Sequence, residues 1–224
     1  MMLQQSLKLL TAVKSCVRDE RNGANRAIRE TWGEGLDNLR FIVGQRPNGD
    51  PPFHFPADVL QLACPDDYHG LPRKTRAILD FSLGAARDFT FLCDVDTFVR
   101  PDRLLASGFQ QYDLTGMIGG NLEAGKYFPW PSGGAGYWLS RKAAQIVVNS
   151  PPSDEWAEDR MIGQILGPHI TAAEITAFNH PGYHRVFRDD PLACDVTMHF
   201  DGKGRKKDYT PKWQYEMWNH NRER

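Results

Sequence analysis

Phe89-Thr90-Phe91-Leu92-Cys93-Asp94-Val95-Asp96-Thr97-Phe98-Val99 decides the reading of this chain. Phe89 to Cys93 is an apolar run of strand length and reads as a buried strand. It stops at two carboxylates one residue apart, after which Phe98 and Val99 resume the apolar pattern. Charged side chains are seldom buried without a partner, so Asp94 and Asp96 mark the point where the strand leaves the core. In an open α/β sheet the carboxyl ends of the strands face the ligand crevice. An Asp-x-Asp pair at such an end can hold a hard divalent cation, and the cation can hold a diphosphate. The simpler alternative is a strand end carrying one helix-capping aspartate.

Working outward, strand-like and helix-like segments alternate. Leu9 to Cys16 and Leu39 to Gly44 read as strands, with a helix over Asn22 to Trp32 between them. Arg46 to Pro56 is rich in proline and reads as a loop. Leu71 to Arg87 carries apolar residues near helical spacing and leads into the Phe89 strand. A helix starts at Pro101 and runs to about Gly108, and a strand covers Leu114 to Gly120. Ser140 is placed to cap a helix over Arg141 to Val148, which Pro151-Pro152 prevents from continuing. Ala157 to Leu166 reads as a further helix, and short strand-like pieces surround Ile170 to Ile175 and Cys194 to Phe200. This alternation argues an open α/β sheet with a mostly parallel half.

Composition bounds the function. The chain has 224 residues, 41% hydrophobic and 25% charged, which suits one large α/β domain or two small ones. A net charge of -1 creates no global field toward nucleic acid or membrane. No window is apolar enough to span a bilayer, and the first residues lack a signal-peptide pattern. Cys16, Cys64, Cys93 and Cys194 are scattered without zinc spacing, which favours free thiols in a reducing compartment. The expectation is a cytoplasmic, soluble protein.

Other constellations bear on chemistry. Arg26 and Arg29 stand three apart, so they share a helix face that suits a phosphate or an acidic partner, or simply solvent. Lys74 on a first helical turn can reach a phosphate, though it also fits an ordinary surface lysine. Tyr127 to Trp138 joins a rigid aromatic-proline segment to the glycine turn Gly133-Gly134, where backbone can approach a ligand and Trp130 can stack on a sugar; a tight turn between core strands is the alternative. It lacks the GxGxxG arrangement of a dinucleotide site. Glu158 and Asp159 open a helix, where acids are favoured by the dipole alone or serve as a general base. His199, in an alternating piece, is a candidate third metal ligand beside Asp94 and Asp96 or a structural histidine.

Taken in order, these motifs resemble the β1,3-galactosyltransferase and Fringe-type glycosyltransferases from about Leu9 to His199. The resemblance rests on Val13-Lys14-Ser15 and on Arg26, Arg29, Thr31 and Trp32. It continues through Asp66 to Tyr68, Leu71 to Thr75, and Asp94, Asp96 and Phe98, where Val95 replaces the family's middle aspartate. Phe128 to Trp130, Ser132 to Tyr137, and Glu158, Asp159 and Gly163 complete it. It implies a GT-A type fold: a Rossmann-like open mixed sheet flanked by helices, in a single domain over 1–224. A nucleotide-binding half of about 7–100 would precede an acceptor half of about 101–200 and a basic-aromatic tail of about 201–224.

The resemblance also implies a metal-dependent transferase that moves a hexose or N-acetylhexosamine from a UDP-sugar to an acceptor hydroxyl with inversion, forming a β-linkage, β1,3 to a sugar, and using Mn²⁺ or Mg²⁺. Asp96 would bind the metal, with Asp94 on the metal or the donor ribose and His199 as C-terminal ligand. Lys14, Ser15, Arg26, Arg29 and Lys74 would hold the nucleotide. Asp159 would take the acceptor proton with Glu158 in support, and Trp130, Gly133 and Gly134 would shape the sugar site. Family members are commonly anchored Golgi proteins, so the missing anchor pattern points to a bacterial, viral or metagenomic form. Two alternatives stand beside this reading. Gly202 to Lys207 with Tyr209, Trp213, Tyr215 and Trp218 would suit a transferase acting on modified bases of phage DNA. A non-catalytic sugar-nucleotide or carbohydrate-binding module would use the same fold without needing Asp159.

Overall fold

The computed structural model describes residues 7–36, 38–45, 54–123, 126–177, 196–199 and 211–222. A seven-stranded mixed sheet organises them, in the order β10-β6-β9-β4-β1-β2-β3. Its strands are β1 (Leu9–Lys14), β2 (Leu39–Gln45), β3 (Val59–Pro65), β4 (Phe89–Asp94), β6 (Leu114–Gly116), β9 (Tyr137–Ser140) and β10 (Ile175–Ala177). The run β3-β2-β1-β4 is parallel, while β9 lies antiparallel to both β4 and β6. β1 and β4 are apolar almost throughout because both faces of the sheet are covered.

Helices α3 (Leu71–Gly84), α5 (Arg141–Asn149) and α6 (Glu158–Leu166) cover one face. There Leu10, Ala12, Ile42, Leu92 and Tyr137 pack with Ile78, Val147 and Ile162. On the other face Val13, Phe41, Phe91 and Trp138 pack with Ile28, Trp32 and Met217. Ser140 caps α5 as its position indicates, its Oγ accepting from Ala143 N at 3.1 Å. Cys16, Cys64 and Cys93 are free thiols; Cys194 lies outside the described residues. No helix among the described residues is long and apolar enough to cross a membrane.

Several elements differ from the sequence expectation. Of the helix expected over Asn22 to Trp32 only α2 (Ala24–Arg29) forms; a separate helix, α1 (Val17–Arg21), precedes it, and Gly23 between them has a left-handed φ of 86°. The strand expected over Leu114 to Gly120 ends at Gly116, and β7 (Ile118–Glu123) leaves the sheet to pair with β8 (Lys126–Pro131). β3 was not expected, although Val59-Leu60-Gln61-Leu62-Ala63-Cys64 is an apolar run of strand length; it forms the sheet edge, with Gln61 and Ala63 exposed. Within Ile170 to Ile175, Thr171 and Glu174 form a capping box on a 3₁₀ turn, and the strand begins only at Ile175. Residues 46–53 of the expected loop lie outside the described residues.

The C-terminal segment is also different. Residues 201–210 lie outside the described residues, but Pro211–Arg222 is a helix docked on α2. Trp213 and Trp218 are partly buried against the core, and Tyr215 bonds Glu30 through its hydroxyl. These three aromatics of the expected base-stacking tail are therefore engaged within the protein. Gln214 is fully buried: it accepts from Trp32 Nε1 at 3.1 Å and donates to the carbonyls of Thr97 at 3.1 Å and Val95 at 3.3 Å. It thus ties the C-terminal helix to the turn that carries Asp96. Replacing Gln214 with Leu leaves buried polar groups without these bonds, so Gln214→Leu is expected to lower unfolding stability by about 2 kcal/mol. An unchanged urea midpoint would contradict that role.

Candidate active site

The site forms where β1 and β4 end. Parallel register sets Lys14 beside Asp94, the last residues of their strands. Val95 and Asp96 turn the chain, and β5 (Thr97–Val99) leads away. The Thr97 hydroxyl donates to Gly134 O at 2.6 Å, joining this turn to the glycine segment between β8 and β9. Asp94, Val95, Asp96, Lys14, Ser15 and Lys74 line a cleft of about 1320 Å³. Arg18, Arg21, Arg73, Asp66 and Tyr68 also line it.

Lys14 is the centre of a buried charge network. Its ammonium meets Asp94 Oδ1 at 3.0 Å and bonds Glu158 Oε1, and Glu158 Oε2 accepts from the Tyr137 hydroxyl at 2.7 Å. The Lys14 side chain is 1% exposed and that of Glu158 5%. Burial opposes the charge on Lys14, but Asp94 and Glu158 together outweigh it and hold its pKa above the ordinary lysine value. Burial, with Asp94 nearby, pushes the Glu158 carboxyl up, against the pull of Lys14. A Cβ added at Gly133 would stand 2.4 Å from Glu158 Oε1, so only glycine lets the turn lie on this network. The sequence reading placed Glu158 in support of Asp159; instead both its oxygens serve Lys14 and Tyr137. Lys14 likewise lines the cleft, but its ammonium is committed to two carboxylates.

Asp159, one residue on, is half-buried. Its Oδ1 accepts from Arg160 N at 2.8 Å and its Oδ2 from Gly133 N at 3.4 Å. Gly163 faces β8 so closely that an added Cβ would stand 2.6 Å from Pro129 O, which seats α6 on the strand carrying Trp130. The Trp130 ring lies over Gly119 on the paired strand, so Trp130 packs the β7–β8 ribbon rather than lining the cleft.

The expected nucleotide residues divide. Ser15 is buried at the cleft wall and donates to Asn25 Oδ1 at 2.9 Å. Lys74 is buried, bonding Ser15 O and Asp66 Oδ1 at 3.0 Å. Asp66 in turn accepts from Val17 N at 2.8 Å and Gly44 N at 2.6 Å, so the pair braces the loop after β1. Arg29 does not line the cleft. Glu20 and Asp58 take its guanidinium at 2.7–3.0 Å, and it lies over the Phe41 ring. Arg26 is 70% exposed beside Glu30 and also lies away from the cleft. Among the described residues the arginines that line the cleft are Arg18, Arg21 and Arg73, which were not among the expected site residues; the Arg73-Lys74 pair and the Arg18-x-x-Arg21 spacing are the available signals.

Among the described residues no three His, Cys, Asp or Glu side chains form a metal-binding group. Asp94 and Asp96 still fit a hard cation, because Mg²⁺-like ions need only one or two protein carboxylates when phosphate oxygens and water complete the shell. β11 (Thr197–His199) pairs antiparallel with β5 and sets the His199 backbone opposite Thr97, next to Asp96. The ligand role expected of the His199 side chain lies outside what is described.

No family model matches the sequence, and no curated protein does. Among solved structures, the galactosyltransferase LgtC in complex with donor and acceptor sugar analogues is 14% identical with a TM-score of 0.51, covering 95% of each chain. A glycosyltransferase involved in glycosylation of the major capsid of PBCV-1 is 11% identical with a TM-score of 0.49, covering 94% of this chain and 99% of that one. The chain has the GT-A glycosyltransferase fold: a mixed seven-stranded sheet flanked by helices.

Proposed function

We propose that this protein is a metal-dependent glycosyltransferase that moves a hexose or N-acetylhexosamine from a UDP-sugar to an acceptor hydroxyl with inversion, as the β1,3-galactosyltransferase and Fringe-type motif order implies. The observation that carries the reading is the Lys14–Asp94 pair at the ends of β1 and β4, with Asp96 lining the same cleft and Glu158, the neighbour of Asp159 on α6, bonded to Lys14. Likeness of fold to a galactosyltransferase bound to donor and acceptor analogues supports it.

Asp94 and Asp96, with His199, would hold Mn²⁺ or Mg²⁺, which when bound supplies Lewis-acid stabilisation of the leaving diphosphate. Arg18, Arg21 and Arg73 give the cleft the cationic groups a diphosphate needs. Lys14 balances Asp94 and holds it at the strand end. Asp159 receives the proton of the acceptor hydroxyl as that oxygen attacks the anomeric carbon from the face opposite the UDP. Residues of about 7–100 serve the nucleotide and those of about 101–200 the acceptor.

The test is UDP release from a panel of UDP-sugars, with and without Mn²⁺, for wild type and Asp96→Ala. Metal-dependent release with one sugar, lowered on the order of 100-fold by Asp96→Ala, is expected. Absence of both release and metal-dependent UDP binding by calorimetry would overturn the proposal. Proton NMR of the product's anomeric centre separates inversion from retention.

A further inference from the structure

Two large aromatic side chains stand exposed together, and one of them lines the cleft. Tyr68 is 64% exposed and Trp156 58% exposed, and their ring centroids are 6.2 Å apart at an interplanar angle of 43°. They come from separate segments, the turn after β3 and the turn before α6. Tyr68 lines the cleft, and His69 packs edge-on against it at 6.2 Å. Trp156 lies three residues before Asp159. The Tyr68 hydroxyl sits in the field of the site: burial first, then Asp94 and Asp159, raise its pKa. Tyr68 thus shares the cleft lining with Asp94 and Asp96, and Trp156 stands on the turn that leads into Asp159.

Folding does not need this pair, since neither ring is covered by the core. Its shape and position define what would cover it. Two tilted rings form a shallow apolar seat, and a flat ring bearing C–H groups on one face and hydroxyls at its edge fits such a seat. The cleft that Tyr68 lines also holds the Asp94–Asp96 turn and the arginines, which suit a diphosphate, and Trp156 extends the seat toward the turn that starts α6.

We propose that Tyr68 and Trp156 form the acceptor subsite, receiving the C–H face of a pyranose ring so that its hydroxyl reaches Asp159. This rests on the glycosyltransferase reading and narrows the acceptor class to a glycan rather than a nucleic acid.

The experiment is saturation-transfer NMR of methyl β-D-galactopyranoside, methyl β-D-glucopyranoside and methyl 2-acetamido-2-deoxy-β-D-glucopyranoside on full-length protein saturated with UDP and Mn²⁺, with UDP affinity read by calorimetry. At least one pyranoside should receive saturation through one ring face. That signal should fall on the order of fivefold or more in Tyr68→Ala and in Trp156→Ala, while Trp156→Ala keeps its UDP affinity. Both residues are surface-exposed, so the variants should fold. Wild type that binds UDP but no pyranoside overturns this subsite and leaves the transferase reading intact. Retained signal in both variants, or a loss of UDP affinity in Trp156→Ala, also overturns it. Wild type that binds neither UDP nor a pyranoside removes both proposals.

Discussion

Asp159→Asn is expected to lower sugar transfer by about 10²–10⁴-fold while leaving UDP affinity unchanged. The carboxylate stands on the first turn of α6, where its oxygens accept from Arg160 N and Gly133 N. Asparagine has the same length and keeps one acceptor oxygen, so the turn and the helix start should hold. What it cannot do is take a proton from an attacking hydroxyl. The Asp94–Asp96 turn is untouched, so metal-dependent UDP binding should persist. Separate measurements of kcat for transfer and of UDP affinity by calorimetry distinguish the cases. A large loss in kcat with UDP affinity intact supports the base and excludes the non-catalytic binding module. Transfer at the wild-type rate would remove Asp159 from the chemistry.

Lys14→Met should destabilise the fold by about 3–5 kcal/mol near neutral pH, because it strips the cation from the buried Glu158 carboxylate and from the partly exposed Asp94. Methionine fills most of the volume, so the loss is electrostatic rather than a cavity effect. Glu158 keeps only Tyr137 as partner, and Asp94 loses its ion pair. The pH dependence follows from Glu158. Burial already sets its folded pKa above the ordinary carboxyl value, and the substitution removes the Lys14 pull that opposes this. A carboxyl with a raised folded pKa contributes stability below its unfolded pKa and loses it as pH rises through the folded value. The penalty of Lys14→Met should therefore be smaller near pH 5 than at pH 8. Urea unfolding of both proteins at the two pH values tests this; an equal penalty at both would mean that Glu158 is not the group left stranded.

The β4 strand, the Asp94–Asp96 turn, α3 and the Ser140 cap on α5 were legible because each is encoded by neighbours. An apolar run, a 3.6-residue period or a hydroxyl three residues before a free N–H acts over a few residues. Arg29 shows where such reading stops. Its spacing from Arg26 gives a shared helix face but not what faces it, and Glu20 and Asp58 arrive from elsewhere in the chain. Glu158 is similar: next to Asp159 in sequence, it turns to Lys14, which lies 144 residues away. Edge strand β3 was legible in the apolar run Val59 to Cys64, whereas the aromatics of the C-terminal helix alone do not say what they pack against.

By itself, then, the order of residues determined the alternating α/β architecture, the acidic turn closing β4 and the candidate base at the start of a helix. The tertiary structure alone decided that Lys14 neutralises Asp94 and Glu158, that Lys74 and Asp66 brace the loop after β1, that Gln214 clamps the Asp96 turn, and that Tyr68 meets Trp156. The reason is physical: periodicity and capping are short-range energies, whereas the pairing of buried charges and the meeting of distant rings depend on strand register and helix docking, which exist only once the whole sheet has formed.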